Sequence, residues 1–506
     1  MAIADRIKRR LGKNSPTGDV NSGDKQDFLR DAADMGEERL ERYRLFDDYY
    51  DGEHRAIPLQ RAREVLERSG LRYTENFCET VVDVMVERMS VEGFQVEDNE
   101  EASDWLTKTV WPRNRMDETQ GVVHTETTKK GDGFLIVTFD EDRNLPRFTW
   151  NRPEIIRPVY ADDDSDELLY ASKTWTTRQV SPTNPSGLAI TRLNLYYPDR
   201  VEKWFTVGSA GAKSIWSPHV DPADLDENGA PKWPIAWTMD GQPDGEPIGI
   251  PVIHFRNKPK GRTFGRSELR NVLPQQDLLT KQLLDQFYVM DAQGWPQRWA
   301  TGIPEDTSIN VAIGEFLKTA NDEAKFGQFD AADPGPMGEA VESTLRRIAS
   351  RSQTPLYLLM MSAQLPSGES LKTAESPLIH KVQDRETTHG GSWASAMRMG
   401  ARVTEAFGTN PHPIDPEAEI VTLWADAQSR NEQVETNTLG VQVELLGLSK
   451  TTALRKLGYD PDEEATLRAE EQADAPDEPE APPPPDAPVV KEPDVPAPSP
   501  PPKVVK

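Results

Sequence analysis

The stretch Met360 to Ser376, MMSAQLPSGESLKTAES, places Gly368 and Ser370 at the spacing of a serine nucleophile. A nucleophile elbow needs Gly-x-Ser-x-Gly, because the tight strand-to-helix turn requires both glycines. Here Lys372 stands in the second glycine position, and no clear strand precedes the turn. The residues read better as a helix start, with Ser367 as N-cap and Glu369 in the first turn, where the helix dipole favours an acid. A phosphate cradle fares no better. The nearest text to Gly-x-x-x-x-Gly-Lys-Ser/Thr is KGRTFGRSE, which has the wrong spacing and Arg266 where the phosphate-binding lysine belongs. ATP hydrolysis by this chain is not expected.

Metal chemistry is equally unsupported. His54, His124, His219, His254, His380, His389 and His412 are scattered, with no His-Glu-x-x-His, and read as structural or solvated. Asp162, Asp164 and Asp166 match the first acids of a calcium loop. Its sixth position is Glu167 instead of glycine and its twelfth is Lys173 instead of glutamate, so both the sharp turn and the bidentate ligand are missing. A solvated hairpin turn is expected there. The single cysteine, Cys78, excludes an intramolecular disulfide or a thiolate zinc site. Flanked by Phe77, Val81, Val82, Met85 and Met89 at roughly helical spacing, it reads as a packed small hydrophobe. Acids are common enough to leave a paired-carboxylate glycosidase open by residue type, yet no pair stands out. Neither a cofactor site nor a metal site is expected.

The charge balance narrows the partners. Of a net charge of −27, the tail after Glu470 carries eight acids against three lysines, net −5, leaving −22 on the body. Such a body should not grip a phosphate backbone broadly, since duplex affinity rests on neutralising phosphates with Lys and Arg. Lys450, Arg455 and Lys456 lie in a helical pair with a helix-turn-helix outline. Its flanks are acidic, so an ordinary helical hairpin is the better reading. No apolar run approaches the ~20 residues of a membrane span. The basic start MAIADRIKRRLGKNS lacks the apolar region of a secretory signal, and a cytosol-like environment is expected.

The elements that position these residues follow from periodicity. Residues 1–23 read as a mobile basic arm. An amphipathic helix is predicted over Lys25 to Tyr50, closed by the turn signal DGEH, then helices over Arg61 to Ser69 and Thr74 to Met89. Next, GFLIVTFDE, RFTWNRPEIIRPVYAD, ELLYASKTWTTR and ITRLNLYYPDRVEKWFTV predict an antiparallel meander. From Gly265 the pattern is helical, with Leu269, Val272, Leu273, Leu279, Leu283 and Phe287 in one stripe and Pro274 restarting or kinking it. Strand-like PQRWATG and GEFLKTA follow, then a helix in EAVESTLRRIASRSQ. After the Ser/Gly loop a helical tract runs to Phe407, with interruptions expected at Pro377 and at Gly390-Gly391. The strand EIVTLWAD and a helical pair over Gln428 to Glu470 precede an acidic Pro-rich end that is expected to be disordered.

The order of YYDGEH, TENFCETVVDVMVERMSVEGF, LYYPDRVEKWF, GIPVIHFRN, GRSEL, PQRWATG and RRIASRSQTPLYLLMMSAQLPSGESLKTAESPLIHKVQDRE resembles the portal proteins of long-tailed bacteriophages infecting actinobacteria, over roughly residues 25–465. The resemblance implies an α+β, portal-type protomer and not an enzyme. Protomers would form a cyclic ring, usually a dodecamer, at one capsid vertex. It implies a wing over 24–258 and 369–427, a stem at 259–293 and 335–353, a clip at 294–334 and a crown at 428–470. Residues 354–368 would be a tunnel loop, with Gln364, Ser367 and Lys372 near passing DNA and Pro377 kinking the next helix. Arg298, Trp299 and Lys318 of the clip would dock partners. Implied partners are further copies of the chain, double-stranded DNA passing without sequence specificity, the terminase large subunit, a head-tail connector or adaptor, and major capsid and scaffolding proteins, with no membrane. The protein would be made in the host cytoplasm and sit in the virion. The alternative from another class is a polysaccharide or peptide hydrolase built on the β-rich region.

Overall fold

The tract predicted as one helix over Lys25 to Tyr50 is two, α1 (Gly23–Ala33) and α2 (Glu37–Tyr50). The break falls at Gly36, whose φ of 74° suits a residue without a Cβ. Asp34 Oδ1 accepts the Gly36 N–H at 2.9 Å and stabilises the turn. The break sends the helices to different cores. Leu29 and Ala32 of α1 pack with Tyr170, Leu193, Leu195 and Trp204, whereas Phe46 and Tyr49 of α2 pack with Cys78, Val81 and Val82.

These positions come from a computed structural model that describes residues 23–54, 75–161, 166–181, 184–220, 233–259, 261, 263–294, 298–302, 323–328, 335–360, 368–409, 414–415 and 418–428. By contacts the chain divides into Met1–Gln428 and Ser429–Lys506; the second unit lies outside the described residues. So do the basic arm, the helix predicted over Arg61 to Ser69 and the crown cations Lys450, Arg455 and Lys456.

Helix α3 (Phe77–Val86) is shorter than predicted, because Asn76 caps it by accepting the Cys78 N–H at 3.1 Å. Cys78 is fully buried among apolar neighbours, as its spacing suggested. After strand β1 (Val91–Val96) come helical pieces that the periodicity did not predict: α4 (Glu100–Asp104), a π-helical turn over Trp105–Val110, α5 (Trp111–Arg113) and α6 (Met116–Lys130).

The predicted antiparallel strands are present, but they divide between two sheets instead of forming one meander. Strands β2 (Asp132–Asp140) and β3 (Leu145–Asn151) form a hairpin joined later by β10 (Val252–Arg256), in the order β10-β2-β3. Strands β4 (Ile156–Tyr160), β5 (Leu168–Ser181), β6 (Asn184–Tyr196) and β7 (Arg200–Val207) run antiparallel in sequence order, ending on β8 (Ser217–Pro218). A two-residue strand, β9 (Ile235–Ala236), also pairs with β7. Alternation along β6 sends Leu193 and Leu195 to the α1 side and Tyr196 to the main core. Asp166 sits at the β4–β5 turn and pairs with Arg256 at 2.6 Å; Asp162 and Asp164 lie outside the described residues.

A 3-10 turn (Leu269–Asn271) leads into α7 (Leu273–Gly294), so the helix begins after the predicted 259–268 stretch. Pro274 is the second residue of α7, where a missing N–H breaks no intrahelical bond. The hairpin β11 (Arg298–Thr301) and β12 (Lys325–Gln328) follows. Its second strand is not the predicted GEFLKTA, which lies outside the described residues. Helix α8 (Gly335–Ser352) returns beside α7, and the short α9 (Leu356–Leu359) occupies part of the predicted loop 354–368.

Helix α10 (Gly368–Phe407) is continuous over 40 residues, through Pro377 and Gly390-Gly391, where interruptions were expected. Gly390 serves packing instead. A Cβ there would lie 3.3 Å from Trp424 Nε1, and Thr422 Oγ1 donates to the Gly390 carbonyl at 2.9 Å. Both partners belong to β13 (Ile420–Trp424), which pairs antiparallel with β1. The main core gathers Phe134, Val137, Phe255, Trp393 and Met397 between α10 and the β10-β2-β3 sheet.

Candidate functional site

The helix pair α7–α8 carries its hairpin at one end and meets the long helix α10 at the other. Leu279 and Leu283 of α7 pack with Leu345, Ile348 and Ala349 of α8 in one apolar seam. An 18-residue helix spans about 27 Å, so α8 separates the hairpin from the α9–α10 junction by that length.

The junction is ionic and buried. Glu268, just before the 3-10 turn, has a side chain 4% exposed. It receives Lys258 Nζ at 2.7 Å, Lys381 Nζ at 3.1 Å, Arg385 Nη2 at 3.0 Å and Asn257 Nδ2 at 3.2 Å. Burial pushes the Glu268 carboxyl up, but Lys381 and Lys258 outweigh it and hold the pKa below the usual carboxylate range. Lys381 also donates to the Ser352 carbonyl at 2.9 Å, the last residue of α8. One face of α10 therefore holds both the entry to α7 and the exit of α8. Beside the exit, Tyr357 of α9 donates to Glu375 of α10, and Arg88 Nη2 lies 3.6 Å from the same carboxylate.

The segment KGRTFGRSE now has a structural meaning. A Cβ on Gly265 would lie 1.9 Å from the Gly131 carbonyl oxygen. The two backbones touch there, with Asn257 N–H donating to the Gly131 carbonyl at 2.8 Å. The glycine permits close packing of the α7 entry against the end of α6 and cradles no phosphate.

Among the described residues, a His–carboxylate arrangement resembling a catalytic pair is a strut. His254 Nε2 lies 2.9 Å from Asp132 Oδ1, and Tyr160 Oη lies 2.9 Å from His254 Nδ1. Tyr43 donates to Asp132 Oδ2 at 2.8 Å, and Gly265 N–H donates to Oδ1 at 2.8 Å. Burial lowers the His254 pKa despite Asp132, so the neutral ring donates through Nε2 and accepts the tyrosine hydroxyl at Nδ1. His254 and Asp132 are each 3% exposed, and the Ser392 hydroxyl beside them donates to the His254 backbone carbonyl at 3.1 Å and not to the ring. Among the described residues, no group of three or more His, Cys, Asp or Glu is placed to hold a metal ion.

The sequence-derived candidates fall on separate elements. Ser370 lies in the first turn of α10 and Lys372 at the start of the second, both exposed, and Pro377 is an exposed residue inside that helix. Arg298 and Trp299 lie in β11, at the hairpin end; Trp299 is 38% exposed. Gln364, Ser367 and Lys318 lie outside the described residues. Sequence reasoning missed Glu268, Lys381 and Arg385. No local signal marked them: Glu268 stands between Ser267 and Leu269, Lys381 between His380 and Val382, and Arg385 between Asp384 and Glu386, like many other charged positions in this chain.

Comparison with known proteins bears on the whole arrangement. The family profile described as "Phage portal protein, SPP1 Gp6-like" matches residues 31–478. The portal protein of Mycobacterium phage D29 is 24% identical over 410 residues, covering 77% of this chain and 76% of that one. The portal protein of Mycobacterium phage L5 is 25% identical over 401 residues, covering 75% and 74%. Among solved structures, the neck of an empty gene transfer agent particle, computed with C6 symmetry, matches 76% of this chain and 89% of that chain at 12% identity and a TM-score of 0.40. The neck of the native particle, computed with C12 symmetry, matches 76% and 88% at 11% identity and 0.39.

Proposed function

The chain belongs to the SPP1 Gp6-like family of phage portal proteins, and we propose that its copies form the ring-shaped channel through which double-stranded DNA enters and leaves the capsid. It is a structural component of the phage particle and not an enzyme. The hydrolase reading is set aside, since the portal family is a structural, non-enzymatic phage component.

The observation that supports the channel reading most is the α7–α8 helix pair, capped by a hairpin and fixed at its other end to α10 through Glu268. In the channel, 259–293 and 335–353 act as the stem, 294–334 as the clip, 24–258 with 369–427 as the wing, 428–470 as the crown and 354–368 as the tunnel loop. Helices with one apolar seam pack around a closed ring through heterologous contacts. A net charge of −27 suits a wall that DNA slides past, because like charge limits phosphate adhesion. On this reading Gln364, Ser367 and Lys372 meet the duplex without reading its sequence. Pro377 sits in the helix after the loop. Arg298, Trp299 and Lys318 dock the terminase large subunit and then the head-tail connector, and the wing meets major capsid and scaffolding proteins. The chain is made in the host cytoplasm before incorporation.

The test is localisation in isolated particles with an affinity-tagged chain. The reading expects label at a single vertex per head. Label on every vertex, or none on mature particles, overturns it.

A further inference from the structure

A recessed cleft of about 830 Å³ lies between α2 and the turn entering α7. Arg39, Arg42, Arg266 and Arg270 line it, a cationic cluster in a chain whose net charge is −27. The carboxylate and ammonium in its floor are already engaged. Asp132 accepts from Tyr43, His254 and Gly265, and Lys130 pairs with Asp47 and Glu126 at 2.9 and 2.8 Å. The arginines are met weakly. Arg39 lies over the Phe264 ring at 4.6 Å, its Nη2 meets only the Met35 sulfur at 3.6 Å, and its Nε is buried without a hydrogen-bond partner. Arg266 donates to a neutral acceptor, Asn271 Oδ1, at 3.2 Å. Arg42 reaches Glu38 only at 4.0 Å, and the Glu38 side chain is 89% exposed.

We propose that this cleft is a subunit socket, filled in the ring by an acidic segment of a second copy of this chain whose carboxylate completes Arg39. A buried guanidinium nitrogen without a partner is costly. Burial, with the neighbouring cations Arg157 and Arg42, lowers the Arg39 pKa against the pull of Tyr43 and Asp132, so an anion entering the cleft relieves both. The occupant is a copy of this chain because a protomer of net charge −27 repels its neighbours unless cationic surface lies at the contact. The walls also carry Leu45, Phe264, Leu273 and Pro274, which suit a peptide bearing carboxylate and apolar side chains. Duplex phosphate fits less well, since a recessed pocket does not set cations along a backbone.

The inference rests on the ring reading, and the experiment separates the two. Full-length wild type, Arg42→Glu/Arg270→Glu and Arg42→Lys/Arg270→Lys are compared by native mass measurement, thermal melting and hydrogen exchange. Wild type is expected to assemble with residues 38–46 and 263–274 protected. The Glu pair is expected to keep the wild-type melt but need at least roughly tenfold more protein for half-assembly, and the Lys pair is expected to assemble. If the Glu pair assembles as wild type does, with the same protection, the socket is wrong and the ring stands. If wild type forms no ring, the ring reading falls and the socket with it.

Discussion

Glu268 and Arg385 are 117 residues apart in sequence, and their side chains meet at 3.0 Å with 4% and 2% exposure. The contact ties the entry of α7 to the middle of α10, and Lys381 extends it to the last carbonyl of α8. Replacing Glu268 with alanine strands two buried cations. Glu268→Ala is expected to cost about 3–5 kcal/mol, read from the urea midpoint at constant slope. A loss under about 1 kcal/mol would show that the network is solvated and does not hold the joint.

The same carboxylate has a pH signature. Its folded pKa lies below its unfolded value of about 4.3, so its contribution is present above that pH and fades as pH falls through the folded value. Stability profiles of wild type and Glu268→Gln should run parallel above pH ~5 and converge in acid. Profiles that stay parallel below pH ~4 contradict the assignment.

His124 acts in a higher window. Its Nδ1–H donates to the Met89 carbonyl at 3.1 Å, and its Nε2 accepts the Trp393 indole N–H at 3.0 Å, which fixes a neutral ring. Burial lowers its pKa to about 4. Between pH ~6.5 and that value the unfolded chain binds a proton that the folded chain does not, so stability falls as pH falls. The loss from this group is roughly 3 kcal/mol from pH 7 to 4. His124→Gln should flatten that part of the profile, and an unchanged slope would assign the loss elsewhere.

At the hairpin end, a Cβ on Gly327 would lie 2.5 Å from the Trp299 ring, which is its cross-strand neighbour. Gly327→Ala is therefore expected to displace Trp299 and speed hydrogen exchange in 298–301 and 325–328. Adding Trp299→Ala should restore slow exchange. If the glycine variant alone exchanges like wild type, the ring does not rest on that backbone.

The tunnel-loop proposal has its own test. Deleting Met361 to Pro366 should leave assembly intact, because Tyr357, Glu375 and the Glu268 network lie outside the deletion. Packaging or retention of DNA should fail. Normal DNA-filled heads from the deletion variant would sink the assignment.

What could be read from the sequence was local pattern. Alternating β-branched and aromatic residues marked β2 through β7, and the apolar stripe Leu279 to Leu283 marked α7. Helices α4 to α6 escaped because Pro112 interrupts the text and because buried Thr127, Thr128, Lys129 and Lys130 hide the apolar face. Gly390-Gly391 looked like a break, yet the glycine makes room for Trp424, a fact held only in tertiary contact. Pairing of β1 with β13 and of Glu268 with Arg385 joins residues over 100 positions apart, which no periodicity can report. Membership of the portal family was legible by resemblance, while the buried joint of Glu268, Lys381 and Arg385 was not.

The central claim is tested most directly by negative-stain electron microscopy and native mass of the purified full-length chain at micromolar concentration. The account expects closed rings of one uniform copy number, with dodecamers the expected form. A stable monomer under those conditions would contradict it.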